Sequence, residues 1–247
     1  MIDPVIASVI CATFLLAGIV KGVTGMGLPT VAMGVLGALI SPLTAASLLL
    51  VPSFVTNLWQ LLAGPAVSSL LRKLWPMMLA ICAGTVTGVS WLVGGDTDLT
   101  TAALGGTLVL YAGYTLFAGQ LRVPARAQWW LSPLIGGATG IVTGCTGVFV
   151  IPAVPYLQAL GLSRDELVQA LGLSFTVSTV ALAIGLGATG AFTVEASGLS
   201  LLALGPALVG MWAGQRLRNR ISPIAFRRIF LICLLLLGAQ MALRPLV

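Results

Sequence analysis

Ten apolar runs, each bounded by glycine, proline or charge, fill almost the whole chain. They fall at residues 4–20, 28–40, 43–62, 74–93, 99–120, 129–142, 148–160, 167–186, 199–214 and 224–243. Runs of this kind leave no face that water could wet. A soluble domain carries about 25% charged residues, whereas only 7% of these 247 residues are charged. A helix crosses the hydrocarbon core of a bilayer with about 20 apolar residues, and the runs lack the period-2 alternation of a membrane barrel. The expected class is an all-α polytopic membrane protein. Met1-Ile2-Asp3-Pro4 leads into the first run with no basic stretch, so an uncleaved first segment is expected rather than a signal peptide.

The runs are not independent. Gly18-Ile19-Val20-Lys21-Gly22-Val23-Thr24-Gly25 matches Gly140-Ile141-Val142-Thr143-Gly144-Cys145-Thr146-Gly147 at six of eight positions, 122 residues later. Ser53-Phe54 recurs as Ser174-Phe175, and Gly84-x3-Gly88 recurs as Gly210-x3-Gly214. The chain reads as two five-segment repeats, residues 1–121 and 122–247, within one integral membrane domain. A single straight helix over residues 4–40 would be about 55 Å long at 1.5 Å per residue, so the glycine-rich stretch must break it. Each repeat then comprises a hairpin of two short broken helices (4–40; 129–160) and three spans (43–62, 74–93, 99–120; 167–186, 199–214, 224–243). The hairpins are either re-entrant or two short crossings.

Three spans and a returning hairpin insert the second repeat upside down relative to the first. The charges agree. Arg72 and Lys73 precede the fourth segment of repeat one, where repeat two has Glu195. Asp96 and Asp98 follow that segment, where repeat two has Arg216, Arg218, Arg220, Arg227 and Arg228. Basic residues favour the cytoplasmic side, which puts ten of the twelve in the cytoplasm and both termini in the periplasm. Only Lys21, in a hairpin, and Arg244 fall elsewhere. Inverted repeats with broken helices are a recurring transporter design, and the two glycine-rich tips are expected to meet near the midplane.

Lys21 is the sharpest single signal. A lysine at membrane depth costs about 2.5–3.5 kcal/mol on insertion scales, and no acidic residue lies near it in sequence. A small anion is the partner that such a cation suits. The tips supply Gly22, Thr24, Gly25 and Gly27 in the first repeat and Thr143, Gly144, Cys145, Thr146 and Gly147 in the second. Their amides, hydroxyls and helix N-termini can hold an anion, although small residues also serve close helix packing. Asn57 and Gln60 in the third segment, with Ser174 and Ser178 at the matching place in repeat two, either line a cavity or tie helices together. Gly84, Gly88, Gly210 and Gly214 read as packing seams.

The chain has no histidine and six carboxylates, which excludes histidine triads and the usual zinc sites. Its four cysteines stand singly in apolar runs. No catalytic residue, metal or cofactor is expected, and the basic cluster suits topology and lipid rather than nucleic acid. The partners are a small anionic substrate and the bilayer, with a second copy of the chain left open.

Gly18-x3-Gly22-x2-Gly25-x-Gly27-Leu28-Pro29, followed by Ser41-Pro42-x2-Ala45, resembles the first signature of the sulfite exporter TauE/SafE family. Gly140-x3-Gly144-x2-Gly147 with Pro152, then Ala170-x3-Ser174, is similar to the second. The family's usual Gly-x-Gly-Gly is reduced there to Gly147-Val148-Phe149. The resemblance spans nearly the whole chain. It implies a permease of the bacterial inner membrane that moves sulfite and small organosulfonates, mainly outward, by alternating access. An anion channel, an uptake carrier for a related organic anion and a membrane anchor for a partner stay open as alternatives.

Overall fold

The computed structural model describes residues 4–119 and 121–244, and of Val194 and Glu195 the backbone only. Ten α-helices follow in order among these residues. The first five are α1 (Pro4–Thr24), α2 (Leu28–Leu39), α3 (Pro42–Leu62), α4 (Val67–Gly94) and α5 (Thr97–Phe117). After a 3₁₀ turn at Ala125–Ala127 come α6 (Gln128–Thr146), α7 (Ala153–Ala159), α8 (Arg164–Ala188), α9 (Val194–Leu217) and α10 (Pro223–Leu243). Seven of them, all but α2, α6 and α7, are long and apolar enough to cross a membrane. The chain is a multi-pass membrane protein.

Helix starts are written in local chemistry. Ser41 accepts from the Thr44 amide ahead of Pro42, and Asp96 accepts from the Asp98 and Leu99 amides at 2.7 and 3.3 Å. Ser163 and Glu166 close a capping box at the start of α8. The described carboxylates Asp96, Asp98, Asp165 and Glu166 all sit in first turns, where the helix dipole favours them. Glu195 also lies at a helix start, but its side chain is outside the described set.

Helix lengths depart from the expected spans. The first arms of the hairpins are not short: α1 has 21 residues and α6 has 19, about 32 and 28 Å at 1.5 Å per residue. Only the second arms are short, with 12 residues in α2 and 7 in α7. The breaks fall within the expected glycine-rich stretches, residues 21–29 and 143–147, at Gly25 (φ +80°) and Gly27 (φ +110°) and in the second copy at Gly147 (φ +72°). Those are left-handed conformations that only glycine adopts readily. The fourth segment also begins earlier than expected, so Arg72 and Lys73 lie inside α4 rather than in a loop.

The remaining motif glycines pack. Gly18 and Gly22 of α1 lie against the backbone of α9, and Gly210 and Gly214 of α9 return the contact against Leu15 and Ile19. Gly136, Gly140 and Gly144 of α6 face α4 in the same way, with Gly84 and Gly88 opposite. At each of these positions a methyl group would come within 3 Å of a backbone atom of the partner helix. Lipid tails are as apolar as leucine, so close backbone approach is what holds such helices together. These two seams, α1 on α9 and α4 on α6, are the largest interfaces, followed by α5 on α10 and α3 on α8. Exchanging the first five helices for the last five maps this set of interfaces onto itself.

α3 carries an internal proline, as do α4, α6 and α9. Pro52 has no N–H to give the Leu48 carbonyl, and the buried Ser200 hydroxyl of α9 donates to that carbonyl at 2.8 Å. The same hydroxyl accepts from the Val51 amide at 3.0 Å. Ser200 thus repairs a gap in α3 from outside, next to Ser53.

Candidate functional site

The inward stripe of α1 runs Ile10, Phe14, Ala17, Gly18 and Lys21, at helical spacing. Lys21 therefore points with the seam into the protein and cannot reach an interface. It is 4% exposed. Its ammonium donates to Thr56 Oγ1 at 3.1 Å and to Asn57 Oδ1, both on α3. Thr56 in turn donates to the Pro52 carbonyl at 2.7 Å. The lysine and asparagine singled out from sequence are thus joined directly. Thr56 was not anticipated, although it adjoins Asn57.

Among the described residues, six buried side-chain polar atoms have no hydrogen-bond partner. They include Ser53 Oγ and Asn57 Nδ2 on α3, and Ser174 Oγ and Ser178 Oγ on α8. All four residues are fully buried. Each pair is spaced i, i+4, so each pair shares one helix face. The two pairs also occupy matching places in the repeats, 121 residues apart, on two helices that pack together. Gly172 of α8 lies against the Asn57 carbonyl and the Leu61 amide. A buried polar atom without a partner costs about 1–3 kcal/mol, and these four, at equivalent positions on two packed helices, are hydrogen-bonding capacity that a ligand could fill. Ser53 was noted only as a repeat match to Ser174, and the repeat equivalence was the signal that could have promoted it.

The tips do not meet. At the first, the Gly25 carbonyl accepts from Gln60 Nε2 at 3.1 Å, and the same amide group donates to the Val168 carbonyl at 3.2 Å. At the second, Gly147 lies against Met33 and Ala46. Ala46 and Gln60 are 14 residues apart on α3, about 21 Å along its axis. First arms of nearly full membrane length carry the tips past the middle to opposite ends. Ser53, Thr56 and Asn57 occupy the level between them.

The tip groups are also engaged with themselves. Gly25 N–H donates to the Lys21 carbonyl, and Gly147 N–H to the Thr143 carbonyl, each at 2.8 Å. Thr24 Oγ1 accepts from the Met26 amide and Thr146 Oγ1 from the Val148 amide, both at 3.3 Å. Thr143 donates back to the Thr139 carbonyl at 2.7 Å. Cys145 is half-buried with its sulfur 3.8 Å from the Gly88 carbonyl, and Gly22 and Gly144 belong to the seams. Gly27 borders Val20 and Phe230. Of the candidate residues, then, the structure gathers Lys21 and Asn57, leaves Ser174 and Ser178 with free hydroxyls on the helix facing α3, and gives the tips a turn-forming role. Beyond Gly147, Val148-Phe149-Val150 is fully buried, and Phe149 meets Phe175 of α8 with ring centroids 5.2 Å apart. Non-helical backbone at membrane depth is tolerated when protein encloses it.

Most basic residues collect at one end of the bundle. Arg122, after α5, and Arg227, early in α10, line one cavity with Leu162 and Leu167 at the start of α8. Glu166 lies within electrostatic reach of Lys73 at the start of α4. The three helix starts and the end of α5 therefore share a face.

The family model described as Sulfite exporter TauE/SafE matches residues 10–241. No curated protein and no solved structure matches the chain.

Proposed function

The chain belongs to the sulfite exporter TauE/SafE family, and on that footing we propose that it is a secondary transporter exporting sulfite or small organosulfonates by alternating access. The single observation that carries this reading is the buried Lys21 cation. It contacts neutral partners only, Thr56 and Asn57, amid the free polar groups of Ser53, Asn57, Ser174 and Ser178. An ammonium with no carboxylate beside it is half of an ion pair. A pyramidal sulfite or a sulfonate would complete that pair and offer acceptor oxygens to the hydroxyls and to Asn57 Nδ2. The site lies between two broken-helix tips at opposite ends of α3, an arrangement that suits closure from either side in turn.

The repeats are read as inverted, divided at residues 1–121 and 122–247. The exchange symmetry of the interfaces and the gathering of basic residues at one end support this. The protein is placed in the bacterial inner membrane, with the basic end cytoplasmic and both termini periplasmic. On a background without the four native cysteines, single cysteines at positions 96 and 195 should react with an impermeant reagent in intact cells. A cysteine at position 126 should react only after permeabilisation. Reaction of positions 96 and 195 from opposite sides would overturn the inversion.

Carrier and channel are separated by counterflow. Vesicles loaded with unlabelled sulfite are expected to take up labelled sulfite faster than empty ones. Equal rates would favour an anion channel with the same binding site, and no flux at all would favour the anchor role.

A further inference from the structure

A polar cavity at the basic end lies outside the Lys21 site. It holds about 450 Å³ between the end of α5, α7, the start of α8 and α10. Two guanidinium groups, Arg122 and Arg227, line it together with the donors Tyr114, Thr115 and Gln158, and no carboxylate is among its lining residues. Neither arginine forms a salt bridge with a described residue. Asp165 and Glu166 fall between the lining residues Leu162 and Leu167 without lining the cavity themselves, and Glu166 accepts from the Ser163 amide at 2.9 Å. Two cations beside neutral donors, with no carboxylate in the cavity wall, form a site for an oxyanion, since guanidinium forks match such oxygens two at a time.

The cavity also leads somewhere. Thr115, on its wall, interacts with the buried Tyr111 one helical turn below, and Arg227 is close enough to act on Tyr111 electrostatically. The Tyr111 hydroxyl lies 3.5 Å from Met26 Sδ, between the two left-handed glycines of the first tip. Tyr111 is 1% exposed. It stands between the cavity wall and the first tip.

We propose that Arg122 and Arg227 form a second oxyanion site, a vestibule that collects the transported anion at the basic end before it passes Tyr111 and the first tip. The inference rests on the transport reading above and adds a station to it. A doubly basic funnel raises local anion concentration without taking part in the central binding step.

The test uses the full chain in nanodiscs of neutral phosphatidylcholine, with sulfite as the probe. Lys21→Met protein should retain a weaker, salt-sensitive class of sulfite binding. Adding Arg122→Gln and Arg227→Gln should abolish it. In vesicles, the Arg122→Gln/Arg227→Gln protein should show KM raised roughly 10-fold with kcat kept, and the Arg→Lys pair, which keeps the charge, should restore most of the KM. A fall in kcat at unchanged KM would point to structural damage instead and overturn the vestibule. So would displacement of bound sulfite by phosphatidylglycerol in the Lys21→Met protein, which would assign the cavity to a lipid phosphate. Transport that depends on Lys21 but is unaffected by the arginine pair would sink the vestibule alone. Wild-type protein with neither sulfite binding nor flux would remove the transport reading as well.

Discussion

Lys21→Met protein is expected to bind sulfite roughly 10- to 150-fold more weakly than wild type, the equivalent of losing one charged hydrogen-bonded contact of about 1.5–3 kcal/mol. Its thermal stability should be kept or raised, and the sign of any change separates the two roles open to the residue. If the lysine served only the fold, its loss would leave Asn57 Oδ1 and Thr56 without their donor and lower stability. Against that stands the relief of a buried cation, which costs about 2.5–3.5 kcal/mol at membrane depth. Interhelical hydrogen bonds in membranes average only about 0.6 kcal/mol, so the relief offsets their loss. Isothermal titration with sulfite, beside a melting curve of the same sample, measures both. An unchanged Kd, or a variant that melts well below wild type, would refute the anion site.

The second large effect falls on the seams. Gly140→Ala should destabilise the protein by about 3 kcal/mol or more, the upper end of overpacking costs. The added methyl would come within 3 Å of the Ile81 carbonyl oxygen, the Thr85 amide nitrogen and Gly84 Cα, all of them backbone atoms. A side chain could rotate aside, but here α4 and α6 must separate. Gly137, three residues earlier on the same helix, is the internal control because nothing lies within 4 Å of its added methyl. Gly137→Ala should be neutral or stabilising, as alanine is the better helix former by about 1 kcal/mol. Unfolding of the two variants in the same detergent compares them directly. Equal stabilities would show that the α4–α6 seam does not hold the protein together.

That contrast also marks what could be read from the chain. The repeated segments, the helical membrane class and the singling out of Lys21 were visible, because identity at fixed offset, apolar run length and an isolated charge are local facts. The division of labour within Gly18-x3-Gly22-x2-Gly25-x-Gly27 was not. Gly18 and Gly22 face α9, whose contacting residues lie about 190 positions downstream, whereas Gly25 and Gly27 turn the chain. Composition is the same at all four. Counting the packing glycines Gly22 and Gly144 among the tip residues shortened the expected first arms, and short arms brought the tips together in the middle. An inverted arrangement would set which way a hairpin enters but not how deep it goes. Depth follows from the length of α1 and α6. Ser200 escaped notice for a related reason: the gap it fills is made by Pro52, about 150 residues before it.

The largest interfaces have a consequence for how the protein is made. Each first arm finds its glycine partner in the other half of the chain, α1 on α9 and α6 on α4. When α5 leaves the ribosome, the groove of α1 and the groove of α4 both face lipid, and nothing yet synthesised can fill either. The first half must wait in the bilayer as loosely held helices. The arrival of α6 closes one groove, and only α9, the penultimate helix, closes the other. Assembly is therefore a late event, and a chain that stops short of α9 is left with half its architecture unlocked.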